Sequence, residues 1–255
     1  MKKEGQPTRN PRIALSLLVA YRNRPNDLSR LLKWYQEHQS EASHKIEVVV
    51  IEASPKPTVC RQSLSRAGFR YYHLALAGNF HKTAALNFGL AHARGEFVTP
   101  YDVDLIPLNG VLTRHIEAAR TSRSLLVAGY RLMSLRSNVD PTRKFAPTDV
   151  QTAPEDNEIS LRNQLIHGER LGMVPFFQKT RLKRIGGWDE DFIGWGCEDS
   201  DTIERYLKRD LLLVRSPDLV YLHYPHFLEG EWHEADLISR NRRLYHSRKR
   251  QRDQR

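Results

Sequence analysis

Cysteine and methionine are scarce in this chain: 255 residues contain two cysteines, Cys60 and Cys197, and three methionines. A disulfide framework has almost nothing to build on, and no Cys/His spacing fits a structural zinc site. A reducing, cytoplasmic setting is therefore the expectation. Long apolar runs are missing too. The first one, Ile13–Ala20, is followed by Tyr-Arg-Asn-Arg instead of a small-residue cleavage site, so it reads as a strand and not as a targeting segment. No stretch approaches the roughly 18 apolar residues that span a bilayer, and no internal repeat is visible. Acidic residues are the minority charge, 30 Asp+Glu against 40 Lys+Arg, for a net charge of +10. These absences exclude collagenous, disulfide-stapled, repeat and membrane-spanning classes.

What is present suits a globular α/β protein. Hydrophobic residues make up 40% and charged residues 27% of the chain, enough to bury a core. Ile13–Ala20 is an apolar strand, and Asn26–His38 carries Leu28, Leu31, Leu32 and Tyr35 at helical spacing after Pro25. Ile46–Ile51 is a β-branched run of the kind buried on both faces in a parallel sheet. A helix at Thr58–Ala67, a strand at Phe69–Ala75, a helix at Phe80–Ala93 and a strand at Glu96–Tyr101 continue the alternation. Leu108–Thr121 and Glu198–Arg209 read as helices, and Ser124–Leu135, Met173–Gln178, Leu211–Val214 and Leu219–His223 as extended segments. Alternating strands and helices predict a doubly wound, mostly parallel sheet with its ligand beyond the carboxyl ends of the strands. The polar stretch Ser137–Arg170 has weak periodicity and is expected to be a loop excursion or lid.

Three constellations fall at those strand ends. Asp102-Val103-Asp104 follows a buried strand, where one carboxylate can face a divalent ion and the other a sugar or ribose hydroxyl. Gly194-Trp195-Gly196-Cys197-Glu198-Asp199-Ser200-Asp201 sets an aromatic face among glycines ahead of a helix start. That arrangement suits a sugar, with Glu198 or Asp199 as general base. His223, His226 and His233 follow the last strand, and one imidazole added to the carboxylates would make an oxygen and nitrogen site suited to manganese. Around them, Arg22 and Arg24 are expected to pair with phosphate oxygens and Glu52 to accept from ribose or base. Lys82 sits in the first turn of a helix aimed at the same edge. Together these residues describe a nucleotide-diphosphate site.

In this order the motifs resemble a family. Residues Val19 to His226 are similar to the GT-A-fold, metal-dependent glycosyltransferases, nearest in motif to the β1,4-galactosyltransferase family and the related bacterial chondroitin-polymerase-type enzymes. Tyr21-Arg22-Asn23-Arg24 resembles the loop that holds UDP, Asp102-Val103-Asp104-Leu105-Ile106-Pro107 the DxD element, and Gly194–Asp201 the acceptor and catalytic segment. The resemblance implies a single-domain GT-A fold and Mn2+ or Mg2+ on Asp104 and His223, with His226 as the alternative. It also implies donor contacts from Asp102 and Val103, acceptor contacts from Trp195, Gly196 and Glu198, and Asp199 as the base of an inverting transfer from a UDP-sugar to a saccharide or glycoconjugate hydroxyl. Cys197 departs from the family's usual glycine, and Ser200 interrupts the acidic run.

The same reading makes residues 1–12 a disordered tail, 13–230 the transferase domain with a nucleotide-binding half 13–104 and an acceptor half 105–230, and 231–255 a basic extension. The Arg-rich end from Arg240 to Arg255 is expected to be a solvated, partly frayed helix and a candidate for peripheral contact with an anionic membrane face. Two alternatives stand beside the enzyme. One is a glycosyltransferase-like binding protein without turnover. The other is a basic nucleic-acid binder, disfavoured because acidic residues converge on the ligand edge.

Overall fold

The computed structural model describes residues 12–39, 43–108, 110–121, 123–134, 152–154, 173–208, 210–225 and 235–254. Its first part follows the expected alternation: β1 (Leu15–Tyr21), α1 (Pro25–His38), β2 (Ile46–Ser54), α2 (Arg61–Arg66), β3 (Arg70–Ala75), α3 (Lys82–His92) and β4 (Phe97–Pro100). Pro25 opens α1, where its missing N–H costs nothing. The strands order as β3-β2-β1-β4, all parallel, and β9 (Phe177–Gln178) adds antiparallel to β4.

Both faces of this sheet are covered, which is why β1 and β2 are apolar almost without interruption. Leu17, Val19, Val48 and Val50 pack on one side with Leu28, Leu31 and Trp34 of α1. Leu18, Val49 and Ile51 pack on the other with Ala85, Leu86 and Leu90 of α3. Cutting a fully buried side chain such as Leu31 back to alanine would cost about 2–5 kcal/mol.

The second half adds a sheet of its own. β5 (Leu105–Pro107), β6 (Leu125–Ser134), β7 (Thr152–Pro154) and β10 (Leu212–His223) form a separate mixed sheet in the order β5-β10-β6-β7, with β8 (Met173–Pro175) also pairing to β6. The two late strands expected from the sequence are one, β10, whose pairing with β6 is irregular between Arg215 and Val220. α4 (Val111–Thr121) precedes β6, α5 (Lys179–Arg184) follows β9, and α6 (Glu198–Leu207) and α7 (Ala235–Asp253) complete the chain. The helix expected at the Arg-rich end forms as α7, 19 residues long, and it is docked by two buried side chains, Asn241 and Tyr245. The expected lid Ser137–Arg170, apart from Thr152–Pro154, lies outside the described residues, as do tail residues 1–11. Among the described residues no helix is long and apolar enough to cross a membrane.

Candidate active site

The turn between β4 and β5 carries Asp102 and Asp104. Val103 between them is 5% exposed, and its side chain belongs to the core and anchors the turn. The register does the rest. β5 runs antiparallel to the end of β10, with Leu105 opposite His223, and Tyr224 N–H donates to the Asp104 carbonyl at 3.0 Å. That pairing sets His223 Nε2 3.3 Å from Asp104 Oδ2, with both side chains nearly sealed from solvent. Arg24 Nη1 donates to the same carboxylate oxygen at 2.8 Å and is itself steadied by Asp27 at 2.9 Å.

Asp102 faces the opposite way, into a cationic setting. Arg131 on β6 donates to it at 2.9 Å, and Lys82 lies 3.6 Å away. Burial by itself would raise this carboxyl's pKa, but Lys82 and Arg131 outweigh that and hold it below the ordinary range. Arg131 also donates to His223 Nδ1 at 3.3 Å, so one guanidinium, with the histidine, links the two carboxylates of the turn.

Lys82, in the first turn of α3, is the hub. Its ammonium is 3.1 Å from Glu198, 3.8 Å from Asp199 and 3.6 Å from Asp102. Desolvation works against its charge, yet Asp102, Asp199 and Glu198 together push its pKa well above the usual lysine value. Glu198 and Asp199 open α6, where the helix dipole favours acids. The approach to α6 is tightly wound: Gly194, Gly196 and Cys197 all have positive φ, at 74°, 111° and 67°. This brings the Gly196 N–H back onto Glu198 Oε2 at 3.0 Å. Glu198 is thus fixed at both oxygens and buried, while the Asp199 side chain keeps 40% exposure. The protein around the cleft mouth still desolvates Asp199. With Glu198 and Asp102 adding repulsion against the pull of Lys82 and Arg131, its pKa is pushed up to about 6. Trp195, the neighbouring aromatic of the same turn, is 48% exposed.

Three of the residues expected around the donor also hold the protein's own loops. Arg22 is buried and gives its N–H groups to the carbonyls of Ala53, Gly78 and Leu76, tying the β1 end to neighbouring loops. Glu52 has no exposed surface and accepts from Thr58, Ser54 and Tyr71. Burial would raise its pKa, but those hydrogen bonds keep it low. Tyr21 is buried, and its hydroxyl accepts the Arg24 N–H at 3.2 Å, so it shapes the loop from below. His226 and His233 lie outside the described residues, so the choice between His223 and His226 rests here on His223 alone. The sequence reading missed Arg131; a single arginine in an otherwise apolar strand, Leu125–Ser134, was the signal available.

Fold and site together define a class, the GT-A glycosyltransferase fold. A mannosyltransferase, PcManGT from Pyrobaculum calidifontis in complex with GDP-Man and Mn2+, superposes with a TM-score of 0.56 at 20% identity. That match covers 85% of this chain and 58% of that one. S. aureus TarS residues 1–349 superpose at 0.59 with 17% identity, over 83% and 60% of the two chains. The profile of glycosyl transferase family 2 matches residues 16–181, and that described as the N-terminal domain of galactosyltransferase matches residues 157–227. The chain belongs to glycosyl transferase family 2. Among curated relatives, chondroitin sulfate N-acetylgalactosaminyltransferase 2 of Mus musculus is 30% identical over 124 residues, 42% of this chain and 22% of its own length. The hyaluronan synthase of Pasteurella multocida is 25% identical over 227 residues, 78% and 23%. The chain therefore spans less than a quarter of the length of these relatives.

Proposed function

We propose that the protein is a metal-dependent, inverting glycosyltransferase that moves a hexose or N-acetylhexosamine from a UDP-sugar to a hydroxyl of a saccharide or glycoconjugate. The observation that carries this reading is the Lys82 hub. Through it Asp102 of one half of the fold and Glu198 and Asp199 of the other meet within 3.8 Å of one ammonium.

Asp104 and His223 suit a divalent ion. One oxygen and one nitrogen 3.3 Å apart is close to the separation of two neighbouring ligands bonded at about 2.1–2.2 Å. No group of three or more His, Cys, Asp or Glu side chains that could hold a metal exists among the described residues, so substrate oxygens and water would complete the shell. When bound, the ion neutralises charge on the diphosphate leaving group. Arg24 and Lys82 add positive charge at the same edge, and Asp102 orients the donor.

Asp199 is the base. In one displacement the acceptor oxygen bonds to the anomeric carbon as the bond to the diphosphate breaks, and the hydroxyl proton goes to Asp199. A carboxyl with a pKa near 6 is matched to that transfer near neutral pH. Glu198, locked by Gly196 and Lys82, fixes the edge of the sugar pocket, and Trp195 offers the stacking face.

The test is turnover of a panel of nucleotide sugars with Mn2+ or EDTA, for the wild type, Asp104→Ala and Asp199→Asn. Metal-dependent transfer from one donor, lost in both variants, with inversion seen by NMR of the product, supports the proposal. Retention, or no turnover together with no metal-dependent UDP binding, overturns it.

A further inference from the structure

Helix α7 lies beyond both matched family segments, which end at residues 181 and 227, and it covers the acceptor side of the cleft. Asn241 is fully buried, and its single side-chain amide nitrogen donates to two carbonyls, Ile193 at 2.8 Å and Trp195 at 3.1 Å. These carbonyls bracket Gly194 and immediately precede Gly196, whose N–H holds Glu198. The same helix face packs on the glycines themselves: a Cβ on Gly194 would lie 3.1 Å from Leu237, and one on Gly196 would lie 3.9 Å from Ile238. One and two turns further on, Tyr245 donates to Glu204 of α6 and Lys249 pairs with Glu204 at 3.0 Å. Arg252 then pairs with Asp201 at 2.6 Å. The helix is thus anchored on α6 and reaches back over the loop that leads into α6.

We propose that Asn241 is a positioning residue for the acceptor half of the site. It acts through the loop: by holding the carbonyls of Ile193 and Trp195 it keeps the strained 194–197 turn wound, so that Trp195 faces the cleft and Gly196 grips Glu198. The proposed donor and metal groups sit just before α1, in the β4–β5 turn, at the end of β10 and at the start of α3, and the Asn241 side chain bonds instead to Ile193, Trp195 and Arg240. This inference rests on the acceptor role proposed above for Trp195 and Glu198. Removing the amide should therefore weaken acceptor use selectively.

The experiment compares the full chain with Asn241→Ala, Leu237→Ala and Tyr245→Phe, the last removing an α7 hydrogen bond that does not reach the loop. Expected for Asn241→Ala is a rise of about tenfold in acceptor KM, the scale of losing such hydrogen bonds. Donor hydrolysis without acceptor should stay within about twofold of the wild type. Hydrogen exchange of the 193–198 peptide should speed up about tenfold while the α3 peptide is unchanged. Tyr245→Phe should lower stability and leave acceptor KM alone. Unchanged acceptor KM and unchanged exchange in Asn241→Ala overturns the inference, as does an equal fall of hydrolysis and transfer. If Asn241→Ala does not fold, Leu237→Ala, which uncovers Gly194 and orphans no carbonyl, must show the same split or the inference fails. If the wild type transfers nothing, the functional reading falls, and the exchange comparison still decides whether Asn241 holds the loop.

Discussion

Asp199 and Cys197 show most directly how chemistry is built into single residues here. A carboxyl whose pKa is raised to about 6 must be ionised to accept a proton, so kcat/KM is expected to fall about tenfold per pH unit below pH 6. A pH profile flat down to pH 5 would remove Asp199 as the base. The sign for stability is opposite. A folded-state pKa above the unfolded value means that folding is favoured when the group is protonated, and that this advantage is lost as pH rises through about 6. Asp199→Asn should then abolish transfer while raising the urea midpoint at pH 7.5, and a lower midpoint would contradict the repulsion assigned to Glu198 and Asp102. Cys197 takes a left-handed backbone, φ 67°, a conformation that favours glycine. For a residue with a Cβ that conformation costs about 1–2 kcal/mol. Cys197→Gly is expected to recover about 1 kcal/mol by urea denaturation, the rest being offset by the freer unfolded chain.

At the scale of elements, α7 and the strand pairings carry what local sequence could not announce. The four strands and three helices of the first half were legible because the apolar runs of β1 and β2 and the helical spacing of α1, with Pro25 at its start, set an alternation that the shorter elements continue. β5 was not, since three residues, Leu105–Pro107, have no period, and their pairing with β10 is set by a partner about 115 positions away in sequence. The Asp and Glu-Asp motifs announced the site by their position at strand and helix ends. Arg131 did not, because its meaning comes from the β6–β10 register. Charge at a strand end, as at Glu52 and Arg22, is the same letter whether it meets phosphate or a neighbouring loop, so their loop contacts come only with the fold. The Arg-rich end read as a solvated charge run, and only the fold reveals Asp189, Asp191, Asp201 and Glu204 waiting for it. Arg252 bridges Asp201, which is 1% exposed, and Glu204. Arg205 also holds Asp201, so Arg252→Ala is expected to cost about 1.5 kcal/mol by urea denaturation, the low end of the range for hydrogen bonds to charged groups. A loss under about 0.3 kcal/mol would mean that the pair is no more than a solvated surface contact.

Taken whole, the molecule is two sheets whose ligand ends meet at one charged cleft. β4 delivers Asp102 from the first sheet, β10 delivers His223 from the second, and the β4–β5 turn joins them. A ligand that bridges Asp104 and His223 spans the β5–β10 edge, and its binding energy is added to folding. With Mn2+ and UDP each at about 100 times its dissociation constant, the folded state gains about 2.7 kcal/mol per site filled. For a chain of this size one such gain raises Tm by about 5–10 °C. UDP without metal should give a smaller shift, because the diphosphate then meets only Arg24 and Lys82 across a cleft that Asp102, Asp104, Glu198 and Asp199 make acidic. Asp104→Ala and His223→Ala change the starting Tm by removing buried partners, so the quantity to compare is the shift on adding Mn2+ to the UDP-saturated protein. That shift should vanish in both variants and survive in Cys197→Gly. A metal-dependent shift that persists at full size without Asp104 and His223 would place the ion elsewhere and separate the two sheets' contributions to the site.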